Sequence, residues 1–191
     1  MQMFGIPMSG PDTCGFYGST PEDELCARWI QLATFFPFAR QNRDDEVSGT
    51  LNEPYVLALP YKKWAINAIK DRLQYSRLMY TCLFEASVSG ETCFDPLMFH
   101  WPEDEQTFVD PEHSIIVANA IKVTPVLVAG ATTVKSYFPA GTWFNMRDLS
   151  AAGRIDSLGE WKVLVAPNGD TDTVLAHLRT GTIIPFQNGT D

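Results

Sequence analysis

The sequence predicts an α/β part followed by an all-β part. Three observations carry this. Two apolar stripes recur at helical spacing: Leu25, Trp29 and Leu32, then Trp64, Ala68, Ile69, Leu73, Leu78, Met79, Leu83 and Ala86. Each follows a short apolar run and a polar loop, which is the order of a βα unit. From Cys93 the pattern changes to short β-rich runs divided by turn signals.

In chain order, Phe4 to Met8 reads as a short buried strand, and Ser9 to Tyr17, with Gly10, Pro11 and Gly15, as a loop. Ser19 or Thr20 can cap the first helix, and Pro21 suits its first turn. Glu22, Asp23 and Glu24 favour its positive end. Phe35 to Ala39 is a second strand candidate and Gln41 to Pro54 a loop. Tyr61 to Ala86 is the longest helix candidate, ended by Ser87 to Gly90. The β-rich runs are Ser114–Val117, Lys122–Val128, Thr133–Phe138, Trp161–Ala166 and Thr182–Phe186. Pro139-Ala140-Gly141 and Pro167-Asn168-Gly169-Asp170 mark turns. This half reads as an antiparallel sandwich or barrel, and the boundary falls near Trp101–Glu105.

Composition narrows the function classes. The 191 residues suffice for one domain or two small ones, and 45% apolar residues supply a core. The formal net charge of −9 repels phosphate backbones, so nucleic acid is excluded as a partner. No apolar run reaches the roughly 18–20 residues of a membrane span. No signal peptide precedes the first apolar segment, an odd start for a secreted protein that a truncated or partial chain would explain. Cys14, Cys26, Cys82 and Cys93 form no CxxC pair, and His100, His113 and His177 are scattered, so no metal site and no cofactor are expected. The spacing of Cys14 and Cys26 permits a bridge from loop to helix, and buried free thiols fit equally well. Asn188-Gly189-Thr190 is a glycosylation sequon.

Six passages, in order, resemble one family. Gly10 to Phe16 reads GPDTCGF, and Glu24 to Arg40 reads ELCARWIQLATFFPFAR. Tyr80-Thr81 leads through Phe99 to Trp101-Pro102-Glu103-Asp104. Thr124 to Leu127, Tyr137 to Trp143 and His177 to Pro185 complete the series. Together they resemble the late catalytic segment and the following domain of family 31 glycoside hydrolases, the α-glucosidase and maltase group. The resemblance implies a fold: residues 1–102 as the last two βα units of a (β/α)8 catalytic barrel, and residues 103–191 as the start of a C-terminal β-sandwich. A full barrel takes about 250 residues, so two units alone leave bare strand edges and a poorly stable or aggregating chain is expected.

The resemblance also implies a chemistry. Retaining glycoside cleavage uses two carboxyl groups about 5–5.5 Å apart, one attacking and one transferring protons. The family motifs that carry them, WxDxNE and HWxGDN, do not occur here, and Phe99-His100-Trp101-Pro102 lacks the Gly-Asp. The chain is therefore expected to be inactive alone: a fragment of an α-glucosidase-like hydrolase, with a non-catalytic carbohydrate-binding remnant as the alternative. What the resemblance assigns here is substrate binding. Asp12 matches the aspartate lining the glucose subsite, and Phe16 the aromatic flanking the sugar. Arg40-Gln41-Asn42 matches Arg-Asn-His, with Asn42 standing where the family His binds hydroxyls. Other departures are Asp95 in place of an Arg and Ala33 in place of a family glycine. A Cys14–Cys26 disulfide is implied by the lysosomal and brush-border-like members, whereas Cys82 and Cys93 are expected as core thiols. The implied partner is an α-glucoside or maltooligosaccharide, and the implied location is lysosomal, secreted or cell-surface.

Overall fold

The computed structural model describes residues 1–18, 21–44, 51–167 and 173–188. Three helices occupy the first half: α1 (Asp23–Ala33), α2 (Tyr61–Gln74) and α3 (Ser76–Ser89). Eight strands follow: β1 (Phe94–Pro96), β2 (Ile115–Val117), β3 (Ile121–Val123), β4 (Thr133–Phe138), β5 (Gly141–Asn145), β6 (Arg154–Ser157), β7 (Glu160–Val165) and β8 (Ala176–Arg179). Among the described residues they form an antiparallel sheet of order β1-β2-β3-β8-β5-β6 and a two-stranded sheet β4-β7.

The strands in the middle of the larger sheet are buried on both faces, and alternation explains how. Val117, Ile121, Val123 and Ala176 pack against Phe35, Tyr75, Leu78 and Met79 from the helical half. Ile116, on the opposite face, joins Leu97, Tyr137, Phe138 and Trp143 between the two sheets. A third core joins α1 to α2 through Ala27, Ile30, Trp64, Ala65 and Ala68. The α/β half is thus seated on one face of the larger sheet while the smaller sheet covers the other.

Several expected elements take another form. Phe4 to Met8 is not a strand: Gln2–Phe4 is a 3-10 turn, and Phe4 is 82% exposed. A strand needs a lateral partner, and the segment that approaches, Phe38–Arg40, pairs with Ser9–Thr13 instead. Phe35 and Phe36 extend the end of α1, their N–H groups bonding to the Leu32 and Ala33 carbonyls. The single helix expected over Tyr61–Ala86 breaks at Tyr75, because its two halves bury different faces. Trp64 and Ala68 face α1, whereas Leu78 and Met79 face the sheet. Thr182–Phe186 forms no strand; Ile183 is 95% exposed, and Phe186 leaves to pack edge-on against Tyr75. Strands β1, β5, β6 and β8 were not anticipated. The helix caps Ser19 and Thr20, the turn Asn168-Gly169-Asp170 and the sequon residues Gly189 and Thr190 lie outside the described residues.

The cysteines require one correction. Cys14–Cys26 is a disulfide, and Cys82–Cys93 is a second one rather than a pair of core thiols. Cys82 on α3 and Cys93 just before β1 are brought together when the chain doubles back after Gly90, which takes a left-handed conformation (φ 79°) that suits glycine. The eleven-residue spacing alone gave no sign of that reversal.

Candidate functional site

Two short parallel segments, Ser9–Thr13 and Phe38–Arg40, build the site. The Phe38 N–H donates to the Ser9 carbonyl (3.3 Å) and the Thr13 N–H to the Arg40 carbonyl (2.7 Å), so Asp12 and Arg40 lie side by side. The backbones touch at Gly10: a Cβ there would stand 1.8 Å from the Phe38 carbonyl oxygen. Only glycine permits this approach. After Asp12 the chain turns sharply through Cys14 (φ 68°) and Gly15 (φ 85°), and the Gly15 N–H closes the turn on the Asp12 carbonyl.

This turn is fastened from three sides. The Cys14–Cys26 bridge ties it to α1. Gln41 Nε2 lies 3.4 Å from Cys14 Sγ and also donates to the Asn52 carbonyl, while Asn52 Nδ2 donates to the Gly15 carbonyl (3.3 Å). The Asp44 N–H reaches the Phe16 carbonyl (3.2 Å), and Arg43 donates to the Gly18 carbonyl. Asp12, Phe16, Arg40 and Asn42 therefore occur together at the C-terminal ends of two neighbouring parallel segments, the end of a βα barrel where ligands bind. Asp12, Phe16 and Asn42 are half-buried and Arg40 is exposed. The Phe16 ring meets Tyr17 edge-on at 4.7 Å. Among the described residues no ion pair joins Asp12 to Arg40; their pairing is through the backbone. An adjoining cavity of about 180 Å³ takes Thr13, Arg40 and Gln41 into its wall but not Asp12, Phe16 or Asn42.

Residues the sequence reading passed over hold this arrangement in place. Arg72 on α2 donates to the carbonyls of Ala33 (3.0 Å), Thr34 (3.1 Å) and Phe36 (2.7 Å), satisfying the end of α1 just before the second segment. Burial lowers its pKa. Arg147 donates to both oxygens of the buried Asp71 and to Thr173 (2.9 Å), clamping α2 onto the sheet half. Burial pushes the Asp71 carboxyl up, against the pull of Thr173 and Arg147. Glu24 accepts from the Gly130 N–H (3.0 Å), a further link between the halves. A basic residue in the last turn of α2 was a visible hint for Arg72; nothing local pointed to Arg147.

The remaining candidates are structural. Asp95 is buried and holds His100 Nε2 at 2.9 Å. His113 bonds to Asp110 (2.6 Å); with Glu112 these donor atoms lie within 4.8 Å of one another, a small surface cluster bonded within itself. His177 is buried inside the sandwich. Among the described residues no helix is long and apolar enough to cross a membrane.

Two parallel segments with loops gathered at one end, mounted on a β-sandwich, define the closing part of a βα barrel joined to a C-terminal β domain. Comparison with known proteins agrees. Residues 1–82 match the glycosyl hydrolases family 31 TIM-barrel domain, and residues 90–184 match the glycosyl hydrolase family 31 C-terminal domain. The chain belongs to glycoside hydrolase family 31 and is α-glucosidase-like. It is 40% identical over 185 residues to a probable α-glucosidase of Oryza sativa subsp. japonica, and 36% identical over 200 residues to the lysosomal α-glucosidase of Mus musculus. Each alignment covers 97% of this chain and 20% of the relative, so the chain spans about a fifth of the length of these relatives. The fold matches a Flavobacterium johnsoniae family 31 dextranase complexed with glucose. There the TM-score is 0.84 at 23% identity, over 98% of this chain and 23% of that one.

Proposed function

We propose that this chain carries part of the glucose-binding wall of a retaining α-glucosidase-like hydrolase and does not itself cleave glycosides. The observation that supports it most is the grouping of Asp12, Phe16, Arg40 and Asn42 at the C-terminal ends of two parallel segments. The sequence around them has none of the family motifs bearing nucleophile and proton donor. Asp12 accepts hydrogen bonds from sugar hydroxyls, Phe16 packs against the ring, and Arg40 donates to its oxygens. Asn42 both donates and accepts, with shorter reach than the histidine it replaces. The substrate is a terminal α-linked glucose, as in maltooligosaccharides. The division into residues 1–102 and 103–191 belongs to the same reading; the pairing of β1 with β2 argues that the sheet also draws a strand from the barrel side. Two disulfides suit an oxidising location, lysosomal, secreted or cell-surface.

A second reading, a carbohydrate-binding remnant with no catalytic partner, is favoured by Asn42 in the hydroxyl-binding position. Both readings predict no glucose release from p-nitrophenyl α-glucoside by the purified chain, in wild type and Asp12→Asn alike. Turnover above a protein-free control, lost in Asp12→Asn, would contradict both.

A further inference from the structure

Directly opposed residues on β1, β2, β3, β8 and β5 form one row across the larger sheet: Asp95, Ile116, Lys122, His177 and Asn145. Paired residues in a sheet share a face, so this row points toward the smaller sheet, where Ile116 meets Tyr137, Phe138 and Trp143. Two bases in the row, Lys122 and His177, are enclosed there. Lys122 Nζ donates to Thr124 Oγ1 (2.9 Å) and Ser136 Oγ (2.6 Å) and stands 4.3 Å from the Phe138 ring centroid. Ser136 donates onward to the His113 carbonyl (3.1 Å), and Ser114 and Thr124 close the hydroxyl cluster. His177 lies edge-on to the same Phe138 ring at 4.9 Å, and its Nδ1 has no hydrogen-bond partner.

Hydroxyls supply dipoles to an ammonium but no counter-charge. Among the described residues, the charged groups on the surrounding elements have other partners, although Asp95 Oδ1 is left without a hydrogen bond. Asp95 on β1, two strands and so roughly 10 Å away, holds His100. Asp110 holds His113, whose carbonyl rather than ring faces the cluster. Lys162 on β7, opposite Ser136, is paired with Glu160 at 2.8 Å. Arg179 on β8 lies over Trp101 and reaches Asn119. Lys135 on β4 stacks over Trp161 on the other face.

We propose that Lys122 and His177 form a buried proton-sensitive clasp: the sandwich closes around two bases that no carboxylate bonds among the described residues, and proton uptake by either loosens it. Burial holds the Lys122 amine down to about 7, and burial, then the nearby Lys122, holds His177 down to about 3. Unfolding returns them toward 10.5 and 6.5. The unfolded chain therefore binds more protons than the folded one between those limits, and stability rises with pH through both windows. The contribution of Lys122 to the folding constant grows about fifty-fold from pH 7 to pH 9, and that of His177 falls about fifty-fold from pH 6.5 to pH 4.5.

The test is denaturant unfolding of the full 191-residue chain at these four pH values, with Lys122→Met and His177→Leu. Lys122→Met should remove the rise above pH 7 and His177→Leu most of the fall below pH 6.5. Slopes unchanged in the variants overturn the clasp. Should either variant fail to fold, the wild-type chain decides by NMR. A Lys122 side-chain titration centred near pH 7, with amide protection factors at residues 121–124 and 176–178 falling on acidification, supports the clasp. A lysine that stays charged to pH 10 refutes it.

Discussion

Arg147→Met should cost the chain about 2 kcal/mol at pH 7, and the deficit should shrink on acidification. Asp71 is 1% exposed, and Arg147 supplies bonds to both its oxygens. Removing one partner of a fully buried pair leaves an uncompensated charge at a cost of about 3–5 kcal/mol. Here the Arg147 side chain is 43% exposed, so water screens part of the attraction and the lower figure of about 2 kcal/mol is expected. For a chain of this size that corresponds to a fall in melting temperature of about 4–8 °C. Burial already raises the Asp71 carboxyl, and losing Arg147 raises it further. A carboxyl raised on folding contributes stability that is full below its unfolded value and lost as pH rises through its folded value. The variant should therefore lie closest to wild type at low pH. Urea unfolding followed by tryptophan fluorescence at pH 4 and pH 7 reads both effects, and Asp71→Asn with Arg147→Met should recover part of the loss. A variant within about 0.5 kcal/mol of wild type at pH 7 would refute the clamp, and so would a deficit that grows on acidification.

Three further outcomes follow from the geometry. Cys93→Ser should lower stability by about 3 kcal/mol, the closure entropy of a loop this short. The unmodified chain should show no alkylatable thiol by mass spectrometry after denaturation without reductant. Gly10→Ala should cost about 3 kcal/mol, the upper end of overpacking, because the new methyl meets the rigid Phe38 carbonyl rather than a side chain that can move. A Gly10→Ala chain with unchanged amide exchange at Thr13 would show that the parallel segments do not touch there.

Much of this architecture was legible because local signals agreed with the fold. The helices over Leu25–Leu32 and Trp64–Leu73 follow their apolar spacing, and β4 and β7 sit on the runs that announced them. The grouping of Asp12, Phe16, Arg40 and Asn42, the residues proposed for binding, was legible for a different reason: they belong to compact motifs close in sequence to the turns that present them. What escaped depends on distant partners. The break at Tyr75 is set by two cores on different sides, Phe4 to Met8 lacks a lateral neighbour, and the Cys82–Cys93 bridge needs the reversal at Gly90. β5 and β8 were hidden inside passages that stood out as motifs rather than as alternating strands. Lys122 ran against its own strand: a charged residue between Ile121 and Val123 reads as an exposed position, yet the smaller sheet and the hydroxyls of Thr124 and Ser136 enclose it.

Glucose titration followed by amide NMR tests the central account most directly. Weak binding, with a dissociation constant above about 1 mM, should shift the amides of Asp12, Phe16, Arg40 and Asn42, and Asp12→Asn should abolish the response. Shifts confined to the β-sheets, or the same response in Asp12→Asn, would contradict it.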